Sequence, residues 1–328
     1  MKLTAFPWQV EIWELFARRW RAGTVPHAML IGGAIGLGKR DLAWRLAASL
    51  LCRTERAHAD ACGRCPGCRQ FTIGAHPDFF SVGLEPTRSV LRVEQIRELS
   101  SFMSLTSQYG GRKVALLEPA ERLSISAANA LLKTLEEPPG DAALLLVSDQ
   151  PGRLPATVRS RCVRLNVRPP PRAEGVRWLR QNSSVHDPSL ALAVARGRPI
   201  VARHWLEEGR LERRQALFQR FEGLLGQRSA PVQVAAEVGG DQLRESLELL
   251  ASWARDMLRL ALGGAAVELE NPDLRDRLLR LAGECQPVWL LQRLDEADRG
   301  LQLCDTAAAP QLLVEDLLVG WSGCRGLG

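Results

Sequence analysis

The chain has 328 residues, of which 46% are hydrophobic and 24% are charged, and its formal net charge is +6 at pH 7. This length predicts two or three domains with sizeable cores, and the composition is that of an ordinary soluble globular protein. No apolar run reaches the roughly 18 residues that a membrane-spanning helix needs. The N-terminus lacks the apolar core of a signal peptide. We therefore expect a cytoplasmic protein.

The positive charge is concentrated in the N-terminal half. Residues 1–166 contain 22 Lys and Arg against 15 Asp and Glu, whereas residues 167–328 contain 21 against 22. A basic half is compatible with binding to nucleic acid or to nucleotide phosphates, but an arginine-rich solvated surface gives the same count. Charge alone therefore does not identify a partner.

Helix and strand patterns alternate through this basic half. Apolar residues at helical spacing predict a helix within residues 6–24, and the strand Ala28–Ile31 leads through a glycine-rich loop into a helix that ends near Leu51. Further strands are predicted at Asp78–Val82, Lys113–Glu118, Ala143–Ser148 and Val163–Leu165, and further helices over 93–103 and Ala127–Glu137. This alternation predicts a parallel, three-layer α/β domain.

Three consecutive prolines, Pro169–Pro171, form a linker after which no strand pattern recurs. Short helical patterns follow up to about residue 206, and longer leucine-rich helical stripes continue from there. The predicted domains are therefore an α/β domain over 1–166, a small helical domain over 167–207 and an all-α domain over 208–328.

The glycine-rich loop has the spacing of a phosphate-binding loop. Gly33, Gly38 and Lys39 fit the pattern G-x4-G-K, with Gly36 between them. Such a loop directs backbone N–H groups and the N-terminus of the following helix toward phosphates. The next residue should be a Ser or Thr that holds Mg²⁺, but it is Arg40. The loop is therefore a degenerate Walker A motif, and we expect weak or absent ATP binding.

A second nucleotide motif is altered as well. In phosphate-loop ATPases a buried strand ends in an Asp that helps to hold Mg²⁺, and in many of them a catalytic Glu follows. Here Glu118 takes the first position and Pro119 the second, and a proline ring cannot orient a water molecule. Because Lys39 is retained, a divergent ATPase that uses Lys39 and Glu118 remains an alternative.

Four of the eight cysteines lie within residues 52–68. Two C-x2-C steps share Cys65, and four thiolates can close a tetrahedral zinc site. The predicted ligands are Cys52, Cys62, Cys65 and Cys68. Such a closed site is structural, since it has no open position for water. Zinc is therefore predicted as a structural cofactor.

Other interpretations of the cysteine cluster are less well matched. An iron–sulfur site would need a further Cys near position 72, which is Thr72. His58 and His76 could replace a cysteine but fit the spacing less well, and free thiols are a further possibility. Together with the basic half, the cluster also leaves open a zinc-dependent DNA-binding module, although it has no aromatic or recognition-helix pattern.

The motifs together resemble, in the same order, those of bacterial clamp-loader subunits, which are AAA+ proteins of the DNA polymerase III holoenzyme. The resemblance rests on the cysteine cluster and on four further segments: Pro26-His27-Ala28, His76-Pro77-Asp78, Asn129–Pro139 and Ser160-Arg161-Cys162. Two branches of the family carry both the zinc insertion and the Ser-Arg-Cys motif. These are the ATP-hydrolysing gamma/tau subunits, called motor subunits below, and the delta-prime subunits.

The departures from the motor pattern favour the delta-prime branch. Arg40 and the pair Glu118-Pro119 replace residues that a motor subunit needs, and Ile200 stands where the motor lid has a phosphate-sensing arginine. The resemblance then implies that 167–207 is the AAA+ lid and that 208–328 is the collar domain that joins subunits. It implies a comparatively rigid end subunit with no catalysis of its own.

The resemblance also implies partners and one functional residue. The partners are the gamma/tau ATPase subunits and the delta subunit, in a complex that loads the sliding clamp onto primed DNA. Arg161, with Ser160 and Cys162 of its motif, would be an arginine finger that enters the ATP site of a neighbouring subunit. Arg159 and Arg164 are nearby alternatives with less motif support.

Overall fold

The computed structural model describes residues 5–54, 59–86, 88–238, 243–264, 266–304 and 310–322. The chain divides into two compact units, Met1–Glu174 and Gly175–Gly328. The finer division at residues 166 and 207 stays a prediction. Within the described ranges, no helix combines the length and the apolar character needed to cross a membrane.

The first unit contains a five-stranded parallel sheet. Its strands are β1 (Ala28–Gly32), β2 (Phe79–Val82), β3 (Lys113–Leu117), β4 (Ala142–Ser148) and β5 (Val163–Asn166), in the spatial order β2-β3-β4-β1-β5. Every residue of β1, β3 and β4 is buried, so these strands are continuous apolar runs in the sequence. The predicted parallel α/β fold is confirmed.

Helices cover both faces of this sheet. They are α1 (Val10–Arg21), α2 (Lys39–Leu51), α3 (Pro66–Thr72), α4 (Val93–Ser104), α5 (Ile125–Glu136) and α6 (Ala156–Arg159). Alternate strand residues contribute to two separate cores, one with α1, α2 and α3 and the other with α4, α5 and α6. The predicted first helix begins only at Val10, because Pro7–Gln9 form a 3₁₀ turn instead. Helix α3 was not predicted.

The parallel strands place the two functional motifs at opposite ends of the sheet: one where the strands end, called the carboxyl edge, and one where they begin, called the amino edge. Strand β1 lies between β4 and β5, so the chain that leaves its carboxyl end enters the crevice where ligands bind in open α/β sheets. The glycine loop begins there. The Ser160-Arg161-Cys162 motif precedes β5, which is parallel to β1, and it therefore lies at the amino edge of the sheet.

The described part of the second unit is helical throughout. It comprises α7 (Arg172–Asn182), which begins in the first unit, and α8 (Ser189–Val194), α9 (Pro199–Glu207), α10 (Arg210–Leu225), α11 (Pro231–Val238), α12 (Leu243–Gly263), α13 (Arg275–Gly283), α14 (Pro287–Leu303) and α15 (Pro310–Trp321). Its core is centred on aromatic rings. Phe221 packs against Trp253 at 5.2 Å and against Trp321 at 4.9 Å between ring centroids. The predicted helical C-terminal region is confirmed.

A carboxylate joins the short and long helices of this second unit. Glu270, which is 10% exposed, pairs at 2.9 Å with Arg196, which lies just after α8, and at 3.1 Å with Arg255 of α12. Arg259 adds a third contact at 3.4 Å. These pairs link residues 175–207 to the following helices.

Candidate functional site

The glycine loop has the backbone that its sequence predicts. Gly33, Gly36 and Gly38 have φ values of 150°, 78° and 72°, a region that favours glycine. A Cβ at Gly33 would lie 2.2 Å from the carbonyl oxygen of Val167, so the loop also needs glycine for close approach. Helix α2 begins directly after Gly38, and its first turn follows the loop as in a phosphate-binding loop.

Lys39 is turned into the protein rather than toward solvent. Its side chain is 3% exposed, and its Nζ donates a hydrogen bond to the carbonyl oxygen of Ala34 at 2.7 Å. The same Nζ pairs with Oδ1 of Asp149 at 2.5 Å. The charge of Lys39 is therefore neutralised by a carboxylate of this chain.

Arg40 lies beside the other altered motif. Its Nε is 3.3 Å from Oε2 of Glu118, and its side chain is 70% exposed. Burial raises the pKa of the Glu118 carboxyl, although the nearby Arg40 charge lowers it in part. A guanidinium thus contacts the carboxylate that would help to hold a magnesium ion in an active site. The two departures recognised separately in the sequence belong to one ion pair.

Residues of the N-terminal segment contact the glycine loop and form hydrogen bonds with its backbone. Gln9 donates from Nε2 to the carbonyl oxygens of Leu37 at 2.9 Å and Gly38 at 2.8 Å, and Trp8 donates from Nε1 to that of Leu37 at 3.0 Å. Trp8 and Gln9 belong to the 3₁₀ turn before α1, so this turn carries the hydrogen bonds to the loop. The ring of Phe6 lies so close to Gly38 that an added Cβ would be 2.3 Å from it.

A glycine replacement tests this contact. Gly38→Ala should lower the free energy of unfolding by about 2–3 kcal/mol, because it adds the strain of a left-handed residue to a clash with Phe6. Gly110→Ala is the matched control: its φ of 67° is close to the 72° of Gly38, but a Cβ there meets no atom within 4 Å. We expect a loss of about 1 kcal/mol for the control in urea unfolding. Equal losses for the two variants would show that Phe6 moves aside without cost.

The four clustered cysteines are brought together as predicted. Their sulfur atoms all lie within 4.8 Å of one another, and this group could hold a metal ion. Its members are Cys52 after α2, Cys62 in the connecting loop, and Cys65 and Cys68 at the start of α3. Tetrahedral zinc–thiolate bonds of about 2.3 Å imply sulfur separations of about 3.8 Å, and Sγ of Cys62 lies 3.9 Å from Sγ of Cys68. The donor set and spacing fit zinc.

Backbone amides point at these sulfur atoms. The N–H groups of Cys62, Cys65 and Cys68 donate to the Sγ atoms of Cys52, Cys62 and Cys65, at 3.4, 3.3 and 3.4 Å. The Thr54 hydroxyl and the amides of Arg64 and Cys65 lower the pKa of the Cys62 thiol to about 5. Hydrogen bonds of this kind stabilise the thiolates that a metal requires.

Of the two histidines considered as substitute ligands, the structure describes only His76, which is not part of the four-sulfur group. His58 lies outside the described residues. Nδ1 of His76 accepts a hydrogen bond from the amide of Asp78 at 3.0 Å, and burial lowers the pKa of the His76 ring. Asp78 accepts in turn from the hydroxyl of Ser107 at 2.8 Å and the amide of Gln108 at 2.9 Å. The His-Pro-Asp motif therefore fixes a loop.

Arg161 lies at the surface near the end of α5. Its Nη2 pairs with Oε1 of Glu136 at 2.5 Å, and its Nη1 donates to the carbonyl oxygen of Thr157 at 2.9 Å. The side chain remains 36% exposed. In the same motif, Ser160 donates to Thr157 at 3.2 Å, while burial raises the pKa of the Cys162 thiol to about 11. Cys162 is buried in the core that also contains residues of α4, α5 and α6.

Arg161 is far from the glycine loop of its own chain. In the parallel register Met29 pairs with Val163, so Arg161 is level with His27. Gly33 lies six residues further along this direction, which corresponds to roughly 20 Å at about 3.3 Å per strand residue. The His27 ring, hydrogen-bonded to the carbonyl oxygen of Leu135 at 3.1 Å, holds the end of α5 at this same edge.

The sequence did not reveal three residues that contact the candidate site residues. Asp149 contacts Lys39, Glu136 contacts Arg161, and Gln9 holds the glycine loop. Asp149 follows β4 directly, and β4 pairs with β1. A known sheet order would have brought Asp149 next to the loop, but the sequence pattern does not supply that order.

Known proteins match this chain along nearly its whole length. A family model described as "DNA polymerase III, delta subunit" matches residues 8–171, and one described as "DNA polymerase III, delta subunit, C terminal" matches residues 208–323. "DNA polymerase III subunit delta'" of Pseudomonas aeruginosa is 36% identical over 334 aligned positions, which cover 98% of this chain and 99% of that protein. The Escherichia coli protein of the same name is 31% identical, with 96% of this chain and 94% of the relative covered.

The chain belongs to the delta-prime family of DNA polymerase III clamp-loader subunits. The resemblance inferred from the motifs is thereby confirmed. Another relative, "DNA polymerase III subunit tau" of Salmonella typhimurium, is 36% identical over 146 aligned positions, which cover 44% of this chain and 22% of that protein. The delta-prime family and the tau subunit therefore share part of their sequence.

Proposed function

We propose that this delta-prime chain is a non-hydrolysing subunit that supplies Arg161 to the ATP site of a neighbouring motor subunit. In this proposal it assembles with gamma/tau and delta subunits in the cytoplasm and helps to load the sliding clamp onto primed DNA. Its contact with the clamp is indirect, and it meets DNA through the complex. The names of its relatives support the assembly.

The opposite placement of the two motifs carries the proposal. Arg161 lies at the amino edge of the sheet, roughly 20 Å from the glycine loop at the carboxyl edge. An arginine at that distance cannot contact phosphates bound by its own loop. Its exposed guanidinium can reach a phosphate only on another chain, where a permanently charged, forked group suits phosphate oxygens.

The altered loop supports the absence of hydrolysis. Arg40 replaces the hydroxyl ligand of magnesium and pairs with Glu118, and Pro119 replaces the residue that would orient water. The divergent-ATPase alternative rests on Lys39 and Glu118, but Lys39 is buried in an ion pair with Asp149 and Glu118 pairs with Arg40. The non-hydrolysing subunit is therefore the better supported function.

We also propose that the four cysteines bind one structural zinc ion. Zinc would join the end of α2 to the start of α3 through Cys52, Cys62, Cys65 and Cys68. Four cysteine ligands leave no open position, so the ion would stabilise the fold and take no part in hydrolysis. The DNA-binding alternative gains no support from α3, which spans only seven residues.

Purified subunits test the proposal. The isolated chain should hydrolyse no ATP above background, whereas mixing it with gamma/tau and delta subunits should yield one complex that loads the clamp and hydrolyses ATP when clamp and DNA are added. Size-exclusion chromatography and phosphate release measure the two properties. Saturable hydrolysis by the isolated chain that disappears in Lys39→Ala would instead establish the divergent ATPase.

A further inference from the structure

A carboxylate of this chain pairs with the lysine of the glycine loop. Strand β4 pairs with β1 so that Ser148 is level with Gly32. Asp149, the residue directly after β4, therefore lies beside Gly33, where the loop begins. Its carboxylate reaches Nζ of Lys39 at 2.5 Å, and that lysine is the group of a phosphate loop that contacts phosphate.

The balance of charge at this point opposes a polyphosphate. Two cations, Lys39 and Arg40, face three carboxylates, those of Glu118, Glu121 and Asp149. Glu121 is held in place because its Oε1 accepts a hydrogen bond from the amide of Asp149 at 3.2 Å. If all five are ionised, the group carries a net charge of −1, whereas a site for a triphosphate needs positive charge.

Arg40 cannot be the residue that keeps phosphate out. A guanidinium attracts phosphate oxygens, so the change to Arg40 removes a metal ligand without adding repulsion. Glu118 pairs with Arg40 rather than with Lys39. Asp149 is the acid that contacts the phosphate-binding lysine directly.

We propose that Asp149 stands in for a bound phosphate and excludes nucleotide triphosphates from the glycine loop. Its carboxylate neutralises Lys39 and repels the anion that Lys39 would otherwise bind. This inference rests on the proposed silent site and names the residue that keeps it silent. It predicts that the remaining loop can still bind phosphates once Asp149 is neutralised, even with Arg40 in place.

Neutral replacements of Asp149 test this directly in the full-length chain. Binding of inorganic tripolyphosphate and of ATP is measured by calorimetry at low ionic strength. Asp149→Asn and Asp149→Thr should bind tripolyphosphate at least about tenfold more tightly than the unmodified chain, because a like charge next to the lysine is removed. Adding Lys39→Ala to Asp149→Asn should abolish the gain. Thermal unfolding checks that each variant is folded.

Asp141→Asn is the matched control. Asp141 directly precedes β4 at its opposite end and pairs with Arg112 at 2.5 Å, so the substitution changes the net charge equally but away from the loop. It should leave tripolyphosphate binding unchanged. An equal gain in affinity in this control would overturn the inference, because the change in net charge would then explain the gain without any special role for Asp149.

The outcomes separate this inference from the function on which it rests. No binding by either folded Asp149 variant would overturn the role of Asp149 and leave the silent site intact. Tight, Lys39-dependent binding of ATP by the unmodified chain would overturn the exclusion and the silent site together.

Discussion

Removal of the proposed zinc ion should strongly destabilise the first unit. We expect a strong chelator to lower its free energy of unfolding by about 3 kcal/mol or more, because structural zinc contributes its binding energy to folding. The ion would close a loop that otherwise depends on a few contacts. Among these contacts are the packing of Phe71 on Trp44 at 5.5 Å and the hydrogen bonds from Arg45 to Asp60 at 2.6 and 2.9 Å.

Calorimetry and metal analysis measure this effect. One zinc per chain should be found, and Cys65→Ser should reproduce the destabilisation without chelator. Cys304→Ser is the control, since Cys304 lies in the second unit and outside the four-sulfur group. A protein that contains no metal and whose unfolding is insensitive to the chelator would contradict the zinc assignment.

The second large effect concerns Arg161. In a reconstituted complex, Arg161→Ala should slow hydrolysis at the neighbouring ATP site by about 10³-fold or more, the range measured for arginine fingers. The total rate of ATP hydrolysis by the complex should fall by the fraction that this one ATP site normally contributes. Arg161→Lys should restore little, because an ammonium group does not form the forked contact of a guanidinium.

Controls separate this role from folding. The Arg161–Glu136 pair is exposed, so its loss should change the stability of the isolated chain by less than about 1 kcal/mol. Arg164→Ala removes the same charge from an exposed position on β5 and should leave hydrolysis unchanged. If Arg164→Ala rather than Arg161→Ala depresses hydrolysis, the wrong arginine has been identified.

Much of the first unit follows from local sequence pattern. The buried runs that became β1, β3 and β4 are apolar because both sheet faces are covered, so they are recognisable without knowledge of their neighbours. Helix α5 is recognisable for a local reason too. Ser124 caps it by accepting from the amide of Ala127, and Pro138 follows its C-cap residue Glu137. Cysteine spacing likewise predicted the four-sulfur group.

The contacts that were missed join distant parts of the chain. Lys39 and Asp149 are 110 residues apart, and Gln9 is 28 residues from Leu37. Nothing in the local pattern around Asp149 distinguishes it from a solvated loop acid. Its place beside Lys39 depends on the pairing of β4 with β1, which hydrophobic periodicity leaves undetermined. The degenerate motif was therefore predictable, whereas the ion pairs within it were not.

The proposed function combines a silent nucleotide site in this chain with an arginine that acts on a neighbouring subunit. Clamp- and DNA-stimulated ATP hydrolysis by the reconstituted complex, compared between Lys39→Ala and Arg161→Ala, tests both halves at once. Both variants must first be shown to assemble. We expect unchanged hydrolysis for Lys39→Ala and reduced hydrolysis for Arg161→Ala. Reduced hydrolysis with Lys39→Ala and normal hydrolysis with Arg161→Ala would contradict the proposed function.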